Sequence, residues 1–231
     1  MPLVRTIKSK LFSLAIWKMT ESPGELSELS VSRGTPVVAS PHGGSERRQR
    51  EFLTTRLLLS TLLDGTPQVV YTPAGKPLLD GDTRHISLTH SASLAAAIVS
   101  HFPVGIDTEE TSRRVEEIAP RFLSAQELAW TLETPDIRKS QILCWSVKES
   151  VFKMIDQPGT DFRSHILIPP IAVTEEGTTP VWFYKMGSRI HAHLNYLFFE
   201  NNVVTWCVYN HALYTTAADN TLTLIDDLEE G

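Results

Sequence analysis

The chain has 231 residues, long for one minimal domain and short for two full ones, so a single large unit or two small lobes is expected. Its 42% hydrophobic residues suffice for a buried core and exclude a disordered chain, and a formal net charge of -6 argues against non-specific nucleic-acid binding. Cys144 and Cys207 lie far apart in apolar runs, which excludes a disulfide-stapled secreted domain and reads as two buried free thiols.

Lys8 and Lys10 precede a short apolar run that Lys18 ends without a small-residue cleavage site, so residues 11–19 read as a first strand rather than a signal peptide. Ser22, Pro23 and Gly24 break it. Ser45 caps a helix running to about Leu63, with apolar positions at helical spacing and Arg47, Arg48, Arg50 and Arg56 on its length. Residues 69–71 form a short strand and residues 72–77 a turn. Residues 86–90 and 94–100 read as two strands, and His101, Phe102 and Pro103 mark a lobe boundary. A strand at 104–109 follows. Ser124 and Thr134 each begin a helix, with Pro135 at the first helical position of the second, which runs to about Ile155. Residues 181–184, 189–199 and 203–209 are strand-like, with a hairpin turn at 200–202. The expected fold is α+β: two similar lobes, 1–103 and 104–231, related by a pseudo-two-fold and each a small antiparallel sheet packed with helices. An acidic tail begins at about 226. No run is long enough to span a bilayer, so no membrane association and a cytoplasmic location are expected.

Two acidic positions stand out first. Asp107 and Glu109 are two apart on a strand, so both point to one face just beyond an apolar stretch. Like charges this close repel unless a cation lies between them, and oxygen-only ligands suit magnesium or calcium; a solvated strand end fits the same spacing. Glu149 and Lys153 share a helix face, with Trp145 one turn earlier. An exposed ion pair fits that spacing too, but the helix is strongly apolar and charges within it need partners, one of which Lys148 can supply. Glu127 completes a capping box with Ser124. Lys76 sits in a rigid Gly-Lys-Pro turn, and His90 follows a strand beside the Thr89 and Ser91 hydroxyls, a combination suited to a phosphate. His191 and His193 share a strand face without a third nitrogen or sulfur ligand nearby, which argues against zinc.

The order of these residues is more specific than any one of them. Val104, Gly105, Ile106 and Asp107, followed some forty residues on by Trp145, Ser146, Lys148, Glu149, Ser150 and Lys153, resemble the two-part signature of the 4′-phosphopantetheinyl transferase superfamily. That signature is hydrophobic-Gly-hydrophobic-Asp, then aromatic-Ser-x-Lys-Glu-Ser-x-x-Lys, and every specified position is matched. Gly75, Lys76 and Pro77 resemble the family's Gly-Lys-Pro turn. The segment with Ser87, Thr89, His90 and Ser91 is similar to its hydroxyl-His-Ser stretch, with Thr89 where Ser is usual. Phe122 and Glu127 match the stretch between the two signature parts. The resemblance is good over residues 70–160, loose over 11–63 and weak beyond 170. The length is similar to the Sfp-like class, which carries both lobes in one monomeric chain.

The resemblance implies coenzyme A in a cleft between the lobes, with Mg2+ (or Mn2+) on Asp107, Glu109 and Glu149. Lys153 and Lys148 would contact phosphate oxygens. Lys76, Thr89, His90 and one of Arg47 and Arg56 would bind the 3′-phosphate or the diphosphate. Glu127, Glu149 or a metal-bound water would take the proton of the acceptor serine. The implied reaction moves 4′-phosphopantetheine to a serine of an apo acyl or peptidyl carrier protein and leaves 3′,5′-ADP. Two other readings share the fold or the ion: a non-catalytic module that binds coenzyme A or the carrier, and a magnesium-dependent hydrolase of the coenzyme A pyrophosphate.

Overall fold

The computed structural model describes residues 3–35 and 44–209. The acidic tail from about 226 lies outside the described residues. The chain starts with a hairpin, β1 (Leu3–Lys8) and β2 (Phe12–Lys18), followed by α1 (Pro23–Ser32) and α2 (Glu46–Leu63). Next come β3 (Val69–Tyr71), β4 (Pro77–Leu79), β5 (His85–His90), β6 (Leu94–Ser100) and β7 (Val104–Glu110). The short α3 (Ala119–Phe122) precedes α4 (Ala125–Leu132), α5 (Ile137–Ile155) and α6 (Phe162–His165). The chain continues through β8 (Ile166–Leu167), β9 (Glu176–Lys185), β10 (Ser188–Phe199) and β11 (Asn202–Val208).

Two antiparallel sheets result, ordered β1-β2-β6-β5 and β7-β11-β10-β9-β8, with β3 and β4 as a separate small ribbon. One connectivity occurs twice. A strand (β2 or β7) precedes a long helix (α2 or α5), and a later hairpin (β5–β6 or β10–β11) returns its second strand to pair with that first one.

Strand period explains the layering. On β2 and β6, Ala15, Trp17, Ala95, Ala97 and Val99 face α1 and α2, where they meet Leu26, Leu53, Leu57 and Leu58. The alternate residues Leu14, Ile16, Leu94, Ala96 and Ile98 face the second sheet and meet Val104, Ile106, Val204, Trp206 and Val208. Both faces of β6 are therefore covered, which is why its sequence is apolar throughout rather than alternating. A third core lies beyond the second sheet, where Val147, Val151 and Met154 of α5 pack on Val181, Phe183, Leu194 and Cys207. Both cysteines are buried free thiols.

Three local readings are corrected. Ser22, Pro23 and Gly24 do not merely break a strand: they start α1, because Ser22 and Glu25 form a capping box with Pro at the first turn. The strand β1 extends the first sheet by one. The long helix α5 is capped by Asp136, whose side chain accepts from the Lys139 N–H at 2.9 Å, so Pro135 lies before the helix and not inside it.

Gly105 fixes how closely α5 approaches β7. A Cβ there would fall 1.8 Å from the Ser150 carbonyl oxygen and 2.9 Å from the Met154 nitrogen, both backbone atoms that cannot swing aside. Gly105→Ala is therefore expected to force the helix off the strand, destabilising by about 1–3 kcal/mol as in overpacked cores. That is a fall of about 2–12 °C in Tm at this chain length. A melting temperature equal to wild type would show that the close approach is not needed.

Candidate active site

Gly105, Asp107 and Glu109 alternate along β7 and face α5, as the two-residue spacing predicts. Asp107 is nearly buried and fully partnered. Its Oδ1 accepts from Lys153 Nζ at 2.7 Å and from the Thr89 hydroxyl at 3.3 Å, and its Oδ2 accepts from the Ser146 hydroxyl at 3.0 Å. Lys153 Nζ also donates to the Ile106 carbonyl at 3.1 Å, while its side chain stays 30% exposed, so the cation is both anchored and open to the cleft. Ser146 and Ser150 sit one helical turn apart on α5 and bond to Thr205 of β11, so small polar side chains fill the tight helix–sheet contact that Gly105 permits. Glu109 Oε1 accepts from Trp145 Nε1 at 2.7 Å and from Arg113 at 2.5 Å, and the Arg113 guanidinium lies 5.4 Å from the centre of the Trp145 ring.

Glu149 stands half-buried on α5. Burial, and then the nearby charges of Asp107 and Glu109, push its carboxyl up to about 7. The folded chain therefore holds a proton that the unfolded chain releases near the ordinary value of 4.5, and stability from this group falls as pH rises from about 4.5 through about 7. With divalent cations chelated, wild type is expected to lose more thermal stability between pH 5 and pH 8 than Glu149→Gln. Parallel melting curves would remove this assignment.

Asp107 and Glu109, but not Glu149, line a cleft of about 580 Å³ together with Arg47 of α2, residues 88–92 at the end of β5, Thr108 and Glu110 of β7, Arg113 and Lys153. The cleft lies where the edge strands of the two sheets meet. The outward N–H groups of β7 find hydroxyls on β5: Ile106 N–H donates to Ser87 at 3.2 Å and Thr108 N–H to Thr89 at 3.1 Å. Ser91 extends the row, donating to Asn202 Oδ1 at 2.8 Å. The alternating Ser87, Thr89 and Ser91 thus join the sheets. Thr89 and Ser91, expected beside a phosphate, line the cleft with their hydroxyls donating to Asp107 and Asn202.

His90 lines the cleft, its Nδ1 3.4 Å from Glu51 Oε1, and Arg47 Nε donates to the same oxygen at 2.7 Å. Arg56 does not line it. Its guanidinium stacks 4.5 Å from the Phe52 ring centre and donates to the Tyr71 hydroxyl at 2.9 Å. Lys76 also stands outside the lining, 3.8 Å from Asp156 just past α5.

Glu127 and Lys148 are elsewhere altogether. Lys148 is fully buried and spends its three protons on Glu127 Oε2 at 2.7 Å, the Phe162 carbonyl at 2.8 Å and the Ile166 carbonyl at 2.7 Å. Glu127 also accepts from the Ser124 N–H, completing the capping box, and from the Ile168 N–H at 2.8 Å. The expected phosphate contact of Lys148 and proton transfer by Glu127 are thus not met by this arrangement. Both are enclosed in the core beside α5, where an ion must be fully paired. Sequence reasoning missed Glu51 and Arg113. Both lie four residues from their partners, Glu51 from Arg47 and Arg113 from Glu109, but only the first pair shares a helix, where that spacing is a signal.

Residues 103–207 match the family model described as the 4′-phosphopantetheinyl transferase superfamily. The chain is 34% identical over 85 residues to the 4′-phosphopantetheinyl transferase gsp of Aneurinibacillus migulanus, a match covering 35% of each chain. It is 36% identical over 83 residues to the 4′-phosphopantetheinyl transferase psf-1 of Bacillus pumilus, covering 35% of this chain and 36% of that one. The matches thus span about a third of the length of these curated relatives. Among solved structures it is similar to the holo-[acyl-carrier-protein] synthase of Thermotoga maritima, with 20% identity and a TM-score of 0.33 over 46% of this chain and 62% of that one.

Proposed function

We propose that this chain, which resembles the Sfp-like 4′-phosphopantetheinyl transferases, moves the 4′-phosphopantetheine group of coenzyme A to a serine of an apo acyl or peptidyl carrier protein. The observation that carries the reading is the juxtaposition of Asp107, Glu109 and Lys153 with Arg47 and His90 around one cleft between the sheets. Acids suited to a hard cation beside cations suited to phosphates are what a diphosphate-bearing substrate requires. The reading includes two lobes divided at residue 103, a monomer and a cytoplasmic location.

Asp107, Glu109 and Glu149 would hold the divalent cation. Their donor set is oxygen only, and the Asp107 and Glu109 charges, which add to burial in pushing Glu149 up, are a repulsion a cation relieves. Among the described residues no three acids, histidines or cysteines are grouped for coordination; Asp107 bonds Lys153 and Glu109 bonds Arg113. When bound, a magnesium ion would supply charge stabilisation at the phosphate oxygens.

The remaining work falls to the chain itself. Arg47 and His90 bind phosphate, and Lys153, anchored on Asp107 and Ile106, faces the charge that builds on the oxygens of the transferred group. The serine oxygen forms a bond to phosphorus as the bond to the bridging oxygen breaks, and 3′,5′-ADP leaves. Of the two acids offered as acceptors of the serine proton, Glu127 is enclosed in a core while Glu149 stands beside the cleft acids, which favours Glu149 in that role.

Intact-protein mass spectrometry of an apo carrier incubated with this chain, coenzyme A and magnesium tests the proposal. A mass gain of one phosphopantetheine group, lost on chelation, is expected. Free phosphopantetheine with an unmodified carrier would instead support the hydrolase, and coenzyme A binding without either product the binding module.

A further inference from the structure

Coenzyme A carries two separate anionic groups, the diphosphate and the 3′-phosphate. The diphosphate belongs with the acids and Lys153 at the end of β7. Among the other basic side chains that line the cleft, Arg113 is held by Glu109 of that same acid group, and Arg47 and His90 stand apart from it beside Glu51, where they suit the second group. These two come from different elements of the first sheet's layer, one from the first turn of α2 and one from the end of β5. What they share is Glu51, a side chain only 10% exposed, whose single oxygen Oε1 lies 2.7 Å from Arg47 Nε and 3.4 Å from His90 Nδ1.

We propose that Glu51 is the positioning residue that aligns Arg47 and His90 as one receptor for the 3′-phosphate, and so sets the discrimination between coenzyme A and its 3′-dephospho form. The inference rests on the function proposed above. A buried carboxylate that binds one edge of a guanidinium and one nitrogen of an imidazole removes rotamer freedom from both, leaving the remaining Arg47 donors and His90 Nε2 for a ligand. Burial disfavours the charged imidazole, and the Glu51 charge opposes that effect.

The sign of the effect separates positioning from simple charge. Glu51 is an anion beside an anion site, so if it acted only through its field, Glu51→Gln would tighten binding of both nucleotides. If it positions Arg47 and His90, the same isosteric change weakens coenzyme A and leaves 3′-dephospho-coenzyme A nearly unchanged. Calorimetric titration of wild type and Glu51→Gln with both ligands, beside their melting curves, makes the measurement. Wild type is expected to prefer coenzyme A by tenfold or more, a size in keeping with a lost charge-assisted contact, with that preference reduced to about two- to threefold in the variant. An unchanged preference in Glu51→Gln, tighter binding of both ligands, or a wild type that binds the two equally would overturn the inference. A wild type that binds neither ligand would overturn the proposed function itself.

Discussion

Lys148→Met is expected to be the most destabilising conservative change in the second half of the chain, by about 3–5 kcal/mol, because it leaves Glu127 as an uncompensated buried charge. It also strips two carbonyls, Phe162 and Ile166, of their donor. For a chain of this length that corresponds to a fall in Tm of about 6–20 °C. Two neighbouring variants give the argument its check. Glu127→Gln is expected to cost less, because burial already pushes Lys148 down and a lysine without its partner can give up its proton. The double variant Lys148→Met with Glu127→Gln removes both charges and should recover part of the loss, a coupling that a double-mutant cycle in urea measures directly. Strict additivity would mean that the pair is not the unit described. Phe162 packs 5.7 Å from the Trp145 ring, and Trp145 holds Glu109, so loosening the 162–168 segment reaches the cleft through packing rather than chemistry. Activity lost in Glu127→Gln should therefore track thermal stability and return on cooling.

Asp107→Asn is expected to do the opposite, lowering transfer by about 10²–10³-fold, the range for removing one preorganised electrostatic contact, while leaving the fold nearly unchanged. The side chain keeps its shape; its amide oxygen still accepts from Thr89, while its NH2 must donate to the Ser146 hydroxyl, reversing that bond. Lys153 loses a counter-charge but is exposed enough to turn to water. Asp107 is also the leading charge that pushes Glu149 up, so the Glu149 carboxyl should titrate lower in the variant. Turnover close to wild type, measured by carrier mass gain, would remove Asp107 from the reaction. A large drop in Tm would place it with Lys148 as a structural residue.

The contrast between these two lysines shows where a sequence stops being informative. Lys148 and Lys153 lie in one signature five residues apart, both on a helix with a strong apolar face. Five residues amount to about 500° of helical turn, so the two side chains leave α5 in different directions, and only the packing partners decide which direction meets a cleft. The same applies to Thr89 and His90. Their adjacency suggests joint phosphate binding, and both border the cleft, yet strand alternation turns their side chains apart: Thr89 bonds the edge of β7 and Asp107, and His90 approaches Glu51.

By itself the sequence determined the elements with strong local signals: α2 from Ser45, the α4 capping box, the strands β5 to β7, and the α+β class. It also determined that Asp107 and Glu109 share a face, since period-two geometry is a property of the strand alone. The α1 capping box was equally local, and Ser22 with Glu25 carried it in plain view. Only the tertiary structure decided that Gly105 is the point where α5 meets β7, that Glu127 and Lys148 are sealed in a core, and that Trp145 reaches Glu109. Those facts depend on distances between segments remote in the chain, and burial, which sets whether a charge is a tool or a structural pair, is a property of the packed chain rather than of any one element.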